Sequence, residues 1–222
     1  MKYEIYGQPA RKHSNGGGLV ALTASVAETA YVGPNAKVCG YAKVYGNAKV
    51  SDNAKVSGNA EVSDNAKVSD NARVYDNARV YSHAMVYGNA RVYGDAMVYG
   101  NAMAYGDAMV YDNAKVYGNA MVCDDAMVYG NAVRYGNAKV YGNAVVSKPQ
   151  DIAILTINGI NITITKQNAV VGCQCLEHKE WLDMTGEQAL EFGQEYGDLF
   201  DFYKPALLQI MNPFMESNNA NK

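Results

Sequence analysis

From Val20 to Val146 valine stands at every sixth position, except at Ala104 and Arg134. An alanine precedes most of these valines by two residues, as in Ala42-Lys43-Val44-Tyr45-Gly46-Asn47 and Ala138-Lys139-Val140-Tyr141-Gly142-Asn143. Residues two apart share one face of a strand, so alanine and valine point inward and the intervening residue and the tyrosine point outward. Gly-Asn or Asp-Asn follows. Glycine, asparagine and aspartate tolerate positive φ, so the chain can turn a corner every six residues. Six residues are too few for a helical unit. The pattern predicts a mainly β chain wound as a parallel solenoid, triangular in section, with eighteen residues per coil and about seven coils. At ~4.8 Å per coil the rod is roughly 34 Å long.

Both ends of such a rod expose open ladder edges. Residues 1–18 are the expected N-terminal cap, 19–147 the repeat array, and 148–222 a C-terminal α+β unit covering the other end. Lys148-Pro149 stops the array, because proline interrupts a ladder. Strict alternation from Ile152 to Thr165 around Asn158-Gly159 predicts a hairpin. Thr185-Gly186-Glu187-Gln188 reads as a helix start, and helical spacing runs from Ala189 to Met211 with a break near Pro205. The second piece closes at Pro213.

Residues eighteen apart stack, so the outward faces can be laid out from the sequence. The third side carries Met85, Met103 and Met121 beside Tyr87, Tyr105, Cys123 and Tyr141. Outward methionine where lysine would serve marks a contact surface, here for a second copy of the chain. Tyrosine and methionine columns also support the solenoid by cross-strand packing, and both roles can hold together. The first side stacks four cations, Lys37, Lys55, Arg73 and Arg91, with tyrosines in its later coils. Cations among aromatics suit nucleic acid. Asp52, Asp64, Asp70 and Asp76 are expected at nearby corners to neutralise them, so a charge-balanced solvated face is the expectation and nucleic acid is not an expected partner.

Composition narrows the classes further. The 222 residues carry a net charge of −3 and include eighteen tyrosines against four phenylalanines and one tryptophan. The array, with its outward tyrosine position, accounts for that bias. No apolar run is long enough to span a membrane, and Met1-Lys2-Tyr3-Glu4 lacks the character of a signal peptide. Four scattered cysteines do not make a disulfide scaffold. From Lys148 onward ten acidic side chains face five basic ones, so an acidic tail could dock on its own rod or on a basic partner. Arg134 occupies an inward valine position, where an unpaired guanidinium is costly; either the strand twists locally or Arg134 reaches a carboxylate of the tail. Cys173, Cys175 and His178 put three donor types within six residues, but without a second pair they do not define a zinc site, and a packed thiol with a surface histidine is the simpler reading. No cofactor is expected.

The aliphatic residue followed four positions later by a small one, as in Val44…Ala48, Val50…Ala54 and Val92…Ala96, resembles the hexapeptide-repeat family over residues 19–147. That resemblance implies a left-handed parallel β-helix. More closely, His13-Ser14-Asn15-Gly16-Gly17-Gly18, then Ala30-Tyr31-Val32-Gly33-Pro34-Asn35-Ala36, and then the Asn-Ala-x-Val-Tyr-Gly array look like repeat proteins of tailed phages and prophages. Many hexapeptide-repeat proteins are trimeric acyltransferases with a histidine near a subunit junction and extruded loops. Here the array has no insertion, and its one histidine, His83, stands where other coils have Asn47, Asn65 and Asn101; it is the sole catalytic candidate and reads more simply as a turn residue. The carbonic anhydrase branch needs several metal histidines. The expectation is a non-enzymatic structural or protein-binding scaffold that forms dimers or trimers, in the bacterial cytoplasm or in the virion. The alternatives are a phage inhibitor or adaptor binding a bacterial host protein or nucleotide signal, and a trimeric acyltransferase.

Overall fold

Every alanine and valine of the array from Ala30 to Ala126 has at most 1% of its surface exposed, forming one thin apolar column. The computed structural model describes residues 3–134, 136–157, 160–171 and 174–190, with 200, 204, 205, 208, 209 and 211. Twenty-two strands make the coils, from β3 (Leu19–Ala21) to β24 (Val145–Val146), and all after β3 are two residues long. Each up to β21 pairs in parallel with the strand eighteen residues on, as Lys67 with Met85 and Val68 with Val86. Following every third strand gives three sheets, one of ten strands that includes an N-terminal hairpin and two of seven. The chain is therefore a β-solenoid of about seven coils with a small C-terminal unit. One rung shows how the coils are held: the Lys43 N–H donates to the Ala60 carbonyl at 2.9 Å, Tyr45 to Val62 at 3.0 Å and Asn47 to Asp64 at 2.7 Å.

The corners explain the alternation of glycine and aspartate. Gly46 turns with φ +68°, and Asp52, Asp64, Asp70, Asp76, Asp112 and Asp124 do the same with φ between 54° and 59°. A side chain in this region costs about 1–2 kcal/mol. The aspartates offset it by accepting the corner N–H of the next coil: Asp64 from Ser82 at 2.9 Å, Asp70 from Gly88 at 2.9 Å and Asp124 from Gly142 at 3.2 Å. The asparagine that follows joins a second ladder, as Asn53 to Asn71 at 3.3 Å and Asn71 to Asn89 at 3.2 Å.

The N-terminal segment covers two of the three sides. Strands β1 (Tyr3–Ile5) and β2 (Gln8–Lys12) form a hairpin, and β2 pairs antiparallel with β3 beneath the first side. Residues 13–18 then cross the third side. Val32 donates to Asn15 at 3.0 Å, Gly18 donates to Val32 at 2.9 Å, and the buried His13 Nε2 bonds the Ala30 carbonyl at 2.9 Å. A Cβ at Gly16 or Gly18 would overlap the Val32 or Gly33 carbonyl oxygen, which explains the glycine run. The second side begins at β4 (Ser25–Val26), with no strand beyond it among the described residues.

Side chains do the capping at the far end. Lys139 N–H donates to Thr163 Oγ1 at 3.1 Å, Val145 N–H to Gln167 Oε1 at 3.2 Å, and Asn168 Nδ2 donates to the Tyr141 carbonyl at 2.9 Å. These residues come from an antiparallel sheet of β25 (Ile152–Ile157), β26 (Ile160–Thr165), β27 (Asn168–Val171) and β28 (Gln174–Glu177). The expected hairpin is present, with Ile152 opposite Thr165; its Asn158-Gly159 turn lies outside the described residues. Two short helices follow, α1 (His178–Asp183) and α2 (Gly186–Leu190), and α1 packs Trp181 against Phe200. Much of the predicted helical stretch to Met211, and Pro213, lie outside the described residues. Asp151 ties the junction. Its Oδ2 accepts from Ser147 N–H at 2.9 Å, Ser147 Oγ at 2.8 Å and Lys148 N–H at 2.8 Å, and its Oδ1 meets Lys166 Nζ at 3.4 Å. Burial pushes this carboxyl's pKa up, but the Ser147 and Lys148 hydrogen bonds and the Lys166 charge outweigh it and hold the pKa below the ordinary value.

Two expectations follow. Ala104 lies between Val86 and Val122 in a column that holds valine in the neighbouring coils. Ala104→Val adds two carbons and should stabilise the protein by about 1.6 kcal/mol, at ~0.8 kcal/mol per buried methylene-sized group, read as a higher urea midpoint; a lower midpoint would show that the column has contracted there. Asp151→Asn should destabilise the protein at pH 7 by about 1–3 kcal/mol. Because the folded pKa is depressed, this contribution is present above the unfolded value of about 3.9 and fades as pH falls through the folded one. The gap between variant and parent melts should therefore close in acid, and a gap independent of pH would refute the assignment.

Candidate functional site

The outward positions carry whatever recognition the rod performs. On the third side Met85 pairs with Met103 and Met103 with Met121, so the three stand in one column, all half-buried. Lys49 and Lys67 continue the same column toward the N-terminus. The Tyr87 and Tyr105 rings stack beside it, 4.9 Å between centroids and 2° from parallel. The Tyr141 hydroxyl donates to Met121 Sδ at 3.6 Å.

Cys123 departs from its expected place on this surface. It is only 3% exposed, and Tyr105 hydrogen-bonds both its thiol and Tyr141. Burial pushes the thiol up to about 12, against the Tyr105 hydrogen bond that pulls it down. Cys123 is thus a protonated, packed rung that offers a partner no area. A short residue between two tyrosines lets them close over it.

The first side places Lys37, Lys55, Arg73 and Arg91 in consecutive register. The carboxylates expected to neutralise them are differently arranged. Asp64 lies at the corner between the second and third sides. Asp52, Asp70 and Asp76 do flank the first side, but their Oδ2 atoms face the backbone N–H of Asp70, Gly88 and Gly94 at 3.4, 2.9 and 3.4 Å. Ion pairs among the described residues are Lys43–Glu61, Arg79–Glu61 and Lys166–Asp151, none within this ladder. Instead the Lys37 and Lys55 ammonium groups lie 5.5 and 5.6 Å from the Tyr6 ring centroid. Sequence reasoning missed Tyr6; the signal was its glycine partner in a two-residue turn. Further along, Tyr75, Tyr93, Tyr111 and Tyr129 stack at 4.8–4.9 Å, and burial raises the pKa of the first three.

On the second side Tyr81, Tyr99 and Tyr117 stack likewise, beside an open trough of about 700 Å3 between Asn77 and Asn113 on one bank and Arg79 and Lys115 on the other. Arg134 lies here. The backbone of its strand, Val133–Arg134, keeps register, Val133 opposite Lys115 and Arg134 opposite Val116. The Arg134 side chain lies outside the described residues, and its docking on the tail with it.

His83 is exposed at a corner, as a rung of the asparagine ladder. Asn47 Nδ2 faces Asn65 Oδ1 at 3.5 Å, which turns Asn65 Nδ2 toward His83 Nε2 at 3.3 Å. In the tail, Cys173 lies outside the described residues. Cys175 is half-buried with Asp124 and Glu180 near it. His178 is buried, not at the surface, and burial lowers its pKa against hydrogen bonds with Asn168 and Thr165. No group of three metal-binding side chains occurs among the described residues, and none of their helices is long and apolar enough to cross a membrane.

Comparison with known families agrees with this geometry. The family described as YdcK Beta solenoid repeat matches residues 66–82, 72–88, 84–100, 90–104 and 122–136. The first four matches begin on repeat alanines, six or twelve residues apart. The chain is similar to that repeat within its central and later coils, and is itself a repeat β-solenoid protein. No curated protein matches the chain significantly.

Replacing His83 by asparagine should restore a continuous ladder from Asn47 to Asn137 and stabilise the fold by about 0.5 kcal/mol, read as a higher unfolding midpoint. A lower midpoint in thermal melts would show that the imidazole has a packing role the asparagines lack.

Proposed function

We propose that this protein is a non-enzymatic β-solenoid scaffold of the phage or prophage type, which assembles into dimers or trimers through its third side. The carrying observation is the in-register column Met85, Met103 and Met121 beside the stacked Tyr87 and Tyr105. Lysine fills the same column at Lys49, Lys67 and Lys139, so the fold does not require an apolar residue there. Methionine adapts its shape to a facing surface, and a flat apolar strip on a rod suits the same strip on another rod. The reading places the assembly in the bacterial cytoplasm or in the virion, where a host protein is a further candidate partner. Acyl transfer receives less support, because one nitrogen of His83 is taken up as a ladder rung.

Met103→Lys should leave the circular dichroism spectrum unchanged and lower the mass measured by light scattering to that of one chain. An unchanged oligomeric mass would refute the third side as the self-contact.

A further inference from the structure

We infer that the first side holds a binding slot for a mononucleotide-class ligand, a planar aromatic ring bearing a phosphate, at the vacant rung over Ser57. The tyrosine ladder of this side runs Tyr129, Tyr111, Tyr93, Tyr75 and then stops, because the next rung is Ser57 and the one after it Cys39. Cys39 is buried beside the N-terminal hairpin, packed with Ile5 and Ala21. Ser57 stays half exposed. Elsewhere a short residue between two tyrosines is closed over: Cys123 between Tyr105 and Tyr141 is 3% exposed, and Ser63 between Tyr45 and Tyr81 is 6% exposed. The rung over Ser57 instead opens into a groove of about 250 Å3, with Tyr75 on one wall and Tyr6 on another.

Tyr6 supplies a second, independent observation. It occupies the first central position of a two-residue hairpin turn with φ 50°, followed by Gly7 at φ 76°. Asparagine is the residue that such a turn favours, and a tyrosine there is strained. Strain kept at an exposed ring is a pointer to use. The ring is 67% exposed and aimed along the cation column.

The charge beside the slot fits a phosphate. Lys55 stands level with the vacant rung, and Arg73 and Arg91 follow one and two coils on, all lining the same groove. Neither arginine has an ion pair among the described residues, and the flanking carboxylates of Asp52, Asp70 and Asp76 face backbone N–H groups. Guanidinium groups bind phosphate oxygens in pairs and directionally. An aromatic ring laid on Tyr75 would continue an established stack at the coil spacing. Ring and anion are thus served by adjacent groups, which selects a ligand carrying both. Third-side assembly plays no part in the slot, so the two readings stand or fall separately.

Isothermal titration calorimetry of the full chain at low salt with AMP, adenosine and ribose 5-phosphate tests the slot. AMP should bind at least about tenfold more tightly than either fragment, and Arg73→Gln should weaken it by a similar factor. Two fold-favouring variants keep the test clear of misfolding. Ser57→Tyr fills the rung with the ladder's own residue, and Tyr6→Asn relieves the turn. Both should melt no lower than the parent, and the first should abolish AMP binding while the second weakens it. Binding of AMP no tighter than that of ribose 5-phosphate, absence of binding at millimolar AMP, or undiminished binding in Ser57→Tyr would each overturn the proposal. So would an eight-nucleotide RNA that binds parent and Ser57→Tyr alike, which would make the side a polyanion surface without a slot.

Discussion

Each coil rises by only the spacing of neighbouring β-strands, about 4.8 Å, and the register between coils never slips from β3 to β24. Every outward side chain therefore rests on its counterpart one coil away. Residue types that interact well with themselves suit this arrangement. Tyrosine rings stack, asparagine amides donate and accept in sequence, and methionines pack. Lysine and arginine do not, because like charges in direct opposition repel. The cation column of the first side is held against that tendency, with Tyr6 over two of its members and no carboxylate paired to the others among the described residues. The inner column obeys the same constraint in simpler form, with alanine on alanine and valine on valine at nearly every level.

The strands of a solenoid pair with one another everywhere except at its ends, and the two ends solve that differently. At the start, backbone covers backbone: a hairpin strand lies under one side and a glycine run crosses another, close enough that no side chain fits between. At the finish, Thr163, Gln167 and Asn168 offer side-chain oxygens or nitrogens to main-chain groups that would otherwise meet a further coil. Side-chain capping lets an ordinary antiparallel sheet sit on a coil with which it shares no strand pairing.

Most of the array could be read directly from the sequence, because a period of six with two inward positions leaves one economical winding. The Met85, Met103, Met121 column and the Lys37 to Arg91 column stand where that winding put them. What was illegible depends on reach and not on register. Cys123 points outward as expected, yet it is buried because two larger neighbours lean over it. Asp64 belongs to a different corner from Asp52, Asp70 and Asp76, and all four turn their carboxylates to amides because the corner N–H has no ladder partner of its own. The exposed Tyr6 ring was hidden from any period-based reading, since it enters the first side from outside the repeat. His178 is enclosed by the tail, where the sequence alone suggests a surface histidine.

The exact eighteen-residue turn also constrains how such a chain can vary in length. Near-identical hexapeptides invite unequal exchange between one unit and another within the coding sequence. Loss or gain of three units removes or adds a whole turn and leaves each face aligned. Loss of one or two swings everything downstream by a third of a revolution, so the C-terminal sheet would be presented over a different flank and the methionine and cation columns would be cut and spliced onto one another. Drift in rod length is therefore compatible with intact faces only in steps of a full circuit.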